Sequence, residues 1–266
     1  MLKDITLGQY IPGDTVIHRL DPRTKILTVL VYIVITFCVQ SFVGYVALAV
    51  FVCGCVAVSK IPPVTVVKGL KPIMFFIVIT GLFNLFLTGG EVVWQLGFLK
   101  ITKEGIRFAA FMVLRLTFLI LGTSLLTLTT SPISLTDGME NLLRPFKKIG
   151  VPAHELSMMM SIALRFIPTL MEETDKIMKA QAARGADFEN GSLIQRAKAM
   201  IPILVPLFIS AFRRADELAT AMECRCYRGG ENRTRLYELR YAKRDAFAAL
   251  VTLALIVAVI LTNIVF

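Results

Sequence analysis

The chain has 266 residues, 56% of them apolar, and only 18% are Lys, Arg, Asp or Glu. Soluble domains carry about 25% charged residues, so this composition, with a mean hydropathy of +0.70, excludes an ordinary water-soluble enzyme and a disordered chain alike and fits an integral membrane protein. A net charge of +10 in a soluble chain would point to nucleic acid, and the placement of the basic residues decides against that.

The first 23 residues carry Lys3, Asp4, Asp14, His18, Arg19, Asp21 and Arg23. No basic segment leads straight into a short apolar core, which argues against a secretory signal peptide. Asp21-Pro22 reads as a helix start, with Asp as N-cap and Pro as first helical residue. The apolar run from Ile26 to Val58 is 33 residues long, too long for one span of about 20 and short for two. The reading is two short helices turning at Gln40-Ser41. A third span is expected over Pro72 to Leu87, bounded by Lys68, Lys71 and Gly89-Gly90, a fourth over Phe108 to Thr129, and a fifth over Asp245 to Val265.

Between Thr130 and Arg244 lie 18 of the 29 basic residues and 13 acidic ones, too much charge for lipid. With the N-terminus inside, the short segments place seven basic residues on the cytoplasmic side (Lys3, Arg19, Arg23, Lys25, Lys60, Lys68, Lys71) against three outside (Lys100, Lys103, Arg107). The basic excess is therefore a topology signal, and no nucleic-acid partner is expected. The organisation is an all-α integral membrane protein: residues 1–130 form a membrane region with four transmembrane helices, 131–244 a cytoplasmic helical region, and 245–266 a C-terminal transmembrane helix.

Within the cytoplasmic region, Ser134 to Ile149 reads as a short amphipathic helix ended by Gly150 and Pro152. Leu156, Met159, Ala163, Ile167, Leu170 and Ile177 mark one face of a long helix from Pro152 toward Arg184, with a kink expected near Pro168. Ile201, Leu204, Phe208, Ala215, Leu218 and Met222 line a second, bent by Pro202 and Pro206. Neither reads as a membrane span, since Ala199 to Ile209 is only 11 residues and Arg165 interrupts the first.

The two helices end alike. Asp175, Ile177, Ala180 and Arg184 recur as Asp216, Leu218, Ala221 and Arg225, each 41 residues on. Small neighbours, Ala183 and Gly185 around Arg184 and Cys224 and Cys226 around Arg225, let a partner's backbone come close while the guanidinium reaches carboxylates or helix-end carbonyls. The same residues also describe a plain capped helix terminus, with Gly as C-cap and a cation in the last turn. Arg228-Gly229 is a rival for the second position, outside the 41-residue register.

The chain resembles the transmembrane T component of energy-coupling factor (ECF) transporters, prokaryotic ABC-type importers of vitamins and metal ions. The resemblance is carried by Leu20-Asp21-Pro22-Arg23-Thr24-Lys25 before the first span, the short spans, the long cytoplasmic helices and the pair of Arg motifs. It implies a prokaryotic cell membrane and two crossed coupling helices. It also implies that Ala183-Arg184-Gly185 and Cys224-Arg225-Cys226 dock on two ATPase subunits, the second motif departing from Ala-Arg-Gly by its two Cys. ATP and Mg would belong to those subunits, and this chain would hold no cofactor, metal or catalytic residue. No Gly-x-x-x-x-Gly-Lys-Ser/Thr loop is present. A substrate-binding S component would rest on the apolar surface of the coupling helices, for which Met158, Met159, Met160, Ile201, Leu204 and Val205 are the candidates, Met adapting to different partners.

Three alternatives stay open at this level. The chain could serve a dedicated cobalt or nickel importer. It could be a membrane-embedded enzyme using carboxylates such as Glu172, Glu173 and Asp175, although these cannot all share one helix face. It could be a secondary transporter with Arg115 and Asn84 lining a path, although Arg115 is placed to snorkel to the outer interface. Cys38, Cys53 and Cys55 fall in spans and Cys224 and Cys226 on the cytoplasmic side, so no disulfide framework is expected.

Overall fold

The computed structural model describes residues 10–96, 99–186, 188, 192–230 and 239–265, which leaves Lys3, Arg233 and Arg235 of the basic set outside the described residues. Its helices are α1 (Pro22–Cys38), α2 (Phe42–Ser59), α3 (Pro63–Lys68), α4 (Met74–Leu87), α5 (Lys103–Thr129), α6 (Pro132–Leu143), α7 (Ala153–Ala183), α8 (Leu193–Cys224) and α9 (Lys243–Val265). A short antiparallel pair, β1 (Val92–Leu96) and β2 (Leu99–Thr102), joins α4 to α5. The described residues fall into two compact units, one holding α1 to α6 with α9 and the other holding α7 and α8.

The first unit is a bundle whose ends are set by side chains. Asp21 accepts from the Arg23 N–H at 2.9 Å, with Pro22 as first helical residue, so α1 starts where the sequence places it. Ser41 caps α2 through the Gly44 N–H, and the turn between the two helices falls at Val39–Ser41 as expected. Thr102 caps α5 through the Gly105 N–H at 3.0 Å. Inside, Tyr32, Val39, Leu48, Leu128, Leu255 and Val259 are almost wholly buried. Tyr32 donates to the Phe118 carbonyl at 2.7 Å and stacks on Phe51. That approach requires glycine at position 122, because a Cβ there would collide with the Tyr32 ring. The outer faces carry large apolar residues such as Val34, Val50, Phe75, Leu250 and Ile264, an arrangement suited to lipid as solvent.

The set of spans differs from expectation in part. Among the described residues, α2, α5, α8 and α9 are long and apolar enough to cross a membrane. The 17 residues of α1 and 14 of α4 reach only about 25 Å and 21 Å at 1.5 Å per residue, against about 30 Å of hydrocarbon. By length and composition α8 qualifies where it was not expected to. Its apolar stretch from Ala199 runs past Ile209 through Ser210 and Ala211 to Phe212, within one helix that continues through Pro202 and Pro206.

Other differences have local causes. The expected helix over 134–149 is two elements, α6 and a 3-10 helix over Arg144–Ile149, because Pro145 lacks the N–H that an α-helix would need there. The third span starts at Met74 rather than Pro72, after turns and the unforeseen α3. The strand pair was not expected either.

Candidate functional site

The second unit contains the two long helices, which run antiparallel. The Gln181 amide donates to the Pro202 carbonyl at 3.3 Å, Glu173 pairs with Arg214 at 3.0 Å and accepts from the Ser210 hydroxyl at 2.5 Å, and the Tyr227 hydroxyl meets His154 Nε2 at 3.3 Å. The Ser210 hydroxyl, with Arg214 beside it, holds the Glu173 carboxyl below the usual range. Glu173 is thus engaged in joining the helices, and among the described residues no group of three or more His, Cys, Asp or Glu side chains could hold a metal ion.

Both helices close with the same hydrogen-bonded cap. At the end of α7, Arg184 is the cap residue, Gly185 follows at φ +90°, the Gly185 N–H donates to Ala182 O and the Ala186 N–H to Gln181 O. At the end of α8, Arg225 is the cap residue, Cys226 follows at φ +56°, the Cys226 N–H donates to Glu223 O and the Tyr227 N–H to Met222 O. This is the Schellman arrangement twice, and every atom of the second copy is displaced by 41 residues from the first. Arg225, not Arg228, is therefore the structural counterpart of Arg184. Ala183, Arg184, Gly185, Cys224, Arg225 and Cys226 are all exposed, and open space surrounds Gly185. Because the residues after α8 reach back to His154 at the start of α7, the two Arg caps lie at opposite ends of the pair, separated by on the order of 45 Å, the length of a 31-residue helix.

The expected packing faces need correcting. The face of α8 that turns inward is Ile203, 6% exposed, with Pro206, Leu207, Ser210 and Arg214 half-buried beside it, while Ile201, Leu204 and Phe208 point outward. Between Ala199 and Phe212 the helix is apolar all round, so periodicity alone cannot choose the face. Likewise Leu156, Met159 and Ala163 of α7 are exposed, and Ala153 and Ser157 are the buried positions of its first turns. Of the surface candidates, Met159, Met160, Ile201, Leu204 and Val205 are exposed and Met158 is half-buried, leaving a broad apolar surface on this unit.

In the bundle, the Leu20–Lys25 segment anchors a polar node that sequence reading did not foresee. Asp245 accepts from the Asp21 N–H at 2.8 Å and the Ala242 N–H at 2.7 Å. Lys25 donates to His18 O, Thr129 O and Thr130 Oγ1 at 3.2, 2.9 and 3.0 Å, so the cation closes the carbonyl end of α5. Arg23 binds Asp21 at 2.7 Å and Leu239 O at 3.0 Å and lies over the Tyr241 ring. Burial pushes the Asp21 carboxyl up, but its hydrogen bonds and charge contact with Arg23 outweigh this and leave it below the ordinary value. An acidic residue heading the last apolar run was the available signal.

Arg115 reaches the turn at the far end of α1. Its Nη2 donates to Val39 O at 3.2 Å, satisfying a carbonyl at the α1–α2 turn, and the guanidinium lies near the Phe37 ring. Asn84 is turned onto its own helix, donating to Thr80 O at 2.9 Å.

An apolar helical bundle and a helix pair presenting one capped arginine at each end define a multi-pass membrane protein with two matched helix termini. A family model described as CbiQ, cobalt transport protein, matches residues 13–236. Proteins called energy-coupling factor transporter transmembrane protein EcfT are similar along the whole chain. The one from Clostridium kluyveri is 62% identical over 99% of this chain and 98% of its own length, that from Ruminiclostridium cellulolyticum 54% over 100% of both, and that from Bacillus subtilis 48% over 98% of both. The chain belongs to the CbiQ/EcfT family of transporter transmembrane proteins.

Proposed function

We propose that the chain is the T component of an ECF-type importer, coupling two ATPase subunits to a substrate-binding S component for ATP-driven uptake of a vitamin or other micronutrient. The observation that carries this reading is the repeated Arg cap: one surface feature offered twice, at opposite ends of a helix pair, suits two similar partners. Each cap holds its arginine at a fixed exit from the helix. The positive φ that follows turns the chain away, so a planar guanidinium can enter a groove on a partner. Ala183, Arg184 and Gly185 form one docking end and Cys224, Arg225 and Cys226 the other. ATP and Mg are bound and used by the partner subunits, and movement of those subunits is transmitted along α7 and α8.

The exposed Met159, Met160, Ile201, Leu204 and Val205, with Met158, form the surface on which the S component rests. Residues 1–130 and 245–266 are the membrane parts and 131–244 the coupling region, with the N-terminus cytoplasmic. Arg184→Glu and Arg225→Glu each place a carboxylate where the partner expects a cation. Each is expected to lower recovery of the ATPase-containing complex and ATP-dependent uptake, and unchanged yield and uptake in both variants would refute the assignment. Replacing Met158 to Met160 by Ala tests the S-component surface by the same pull-down. The membrane protein that copurifies decides between a vitamin importer and a cobalt or nickel one.

A further inference from the structure

We propose that His154 is a positioning residue for the Arg225 docking end, holding the chain that leaves α8 so that the arginine meets its partner already aimed. Resting on the docking role proposed above, this adds a difference between the two ends.

The cap that carries Arg225 has no glycine where its geometry favours one. Cys226 stands at φ +56° with a side chain, in a conformation that disfavours any Cβ, whereas Gly185 takes φ +90° freely. The residues that follow Cys226 supply a contact that offsets this cost. The Tyr227 hydroxyl meets His154 Nε2 at 3.3 Å, and Gly229, at φ +90°, turns the chain back. Gly230 then lies so near the imidazole that a Cβ there would stand 2.4 Å from His154 Cδ2 and 2.6 Å from Cγ. Residues 227–230 thus hook around one ring. That ring belongs to the second residue of α7, between the buried Ala153 and Ser157.

The sequence supplies this hook at one end only. In the 41-residue register that relates the caps, Tyr227, Gly229 and Gly230 correspond to Ala186, Phe188 and Glu189, and His154 to Gln195. Gln195 is spent on its own helix, where its side chain accepts from the Ser192 N–H at 2.9 Å. A Cβ at Gly185 would meet nothing within 4 Å.

The hook acts on the arginine through the backbone. Tyr227 is two residues from Arg225, and its N–H closes the cap on Met222 O at 3.0 Å. Releasing the tyrosine from His154 loosens the hydrogen bond that fixes where α8 ends, and with it the direction in which Arg225 leaves. A planar guanidinium recognises its partner by geometry, so misalignment costs it more than it would a point charge.

The test uses the full-length chain in detergent with the ATPase subunits that copurify with it. It reads amide exchange at both helix ends in the chain alone and the affinity of the chain for those subunits. His154→Ala should raise exchange at the Cys226 and Tyr227 amides about fivefold and leave the Gly185 and Ala186 amides unchanged. It should weaken ATPase binding about fivefold, keep that effect in an Arg184→Ala background, and lose most of it in an Arg225→Ala background. His154→Gln, which keeps a polar atom within reach of Tyr227, should restore most of the binding. Tyr227→Phe and Gly230→Ala should reproduce the loss, and they replace His154→Ala should that variant fail to fold. Equal effects in the two arginine backgrounds would make His154 a general support of the helix pair and overturn the proposal, as would unchanged exchange at residues 226 and 227. If the arginine variants weaken binding and the His154, Tyr227 and Gly230 variants do not, the proposal falls and the docking role stands. If no ATPase copurifies, or both arginine variants bind as the parent does, the docking role falls and takes the proposal with it.

Discussion

The two helix caps share their hydrogen bonds but not the residue at the left-handed position, and that difference has a calculable effect. Gly185 adopts φ +90° at no steric cost, whereas Cys226 occupies φ +56° with a side chain. A non-glycine residue in the left-handed region costs about 1–2 kcal/mol, and glycine gives back about 0.5–1 kcal/mol through its greater freedom in the unfolded chain. Cys226→Gly should therefore stabilise the end of α8 by about 0.5–1 kcal/mol. A fraying helix end reports this locally, so the measurement is amide hydrogen exchange by mass spectrometry over residues 222–227. Exchange of the Cys226 and Tyr227 amides, which close the cap on Glu223 O and Met222 O, should slow about two- to fivefold. The reciprocal Gly185→Ala change, with open space around the new methyl, should speed exchange at residues 185 and 186 by a similar factor. Faster exchange in Cys226→Gly, or no change in either variant, would refute the view that both ends share one left-handed cap, strained only at Cys226. Partner docking should survive Cys226→Gly, because the Arg exit geometry is kept.

Gly122→Ala should destabilise the bundle by about 1–3 kcal/mol through overpacking against Tyr32, read by unfolding in mixed micelles, and adding Tyr32→Leu should recover part of the loss. Asp245→Ala strands the N–H groups of Asp21 and Ala242 and should cost about 2–4 kcal/mol in the same assay, with Asp245→Asn, which keeps one acceptor, costing less. The depressed Glu173 carboxyl gives a contact that is present above its ordinary value of 4.5 and lost as pH falls through its lower folded value. Glu173→Gln should accordingly raise exchange across the α7–α8 contact at neutral pH, and variant and parent should converge in acid.

Signals confined to one stretch of chain were legible. Asp21-Pro22, Ser41 and Gly150 mark ends that the helices obey, and the 41-residue echo from Asp175–Arg184 to Asp216–Arg225 reappears as matched caps. What pattern could not supply was anything set by distant partners. Asp245 and Asp21 are 224 residues apart, and Tyr32 meets a glycine 90 positions on. The packed face of α8 was unreadable because its middle is apolar on every side, and the reach of its apolar stretch was underestimated because the run was closed at Ile209, before Ser210. The membrane class and the family came from composition and residues together; the docking assignments rest on Arg184 and Arg225 sharing one local geometry.

The pairing of the first and last helices also orders biosynthesis. As the ribosome delivers α1, its Cys38 carbonyl and the Asp21 and Gln40 amides await Asn263, Asp245 and Asn263, which lie 225, 224 and 223 positions later, on α9. Every element between, the long helix pair included, is synthesised before the bundle is sealed, and a chain that stalls before α9 leaves those backbone groups without their partners. Closure of the membrane fold therefore waits for α9, and a molecule lacking it keeps unpaired backbone groups by which quality control can recognise it.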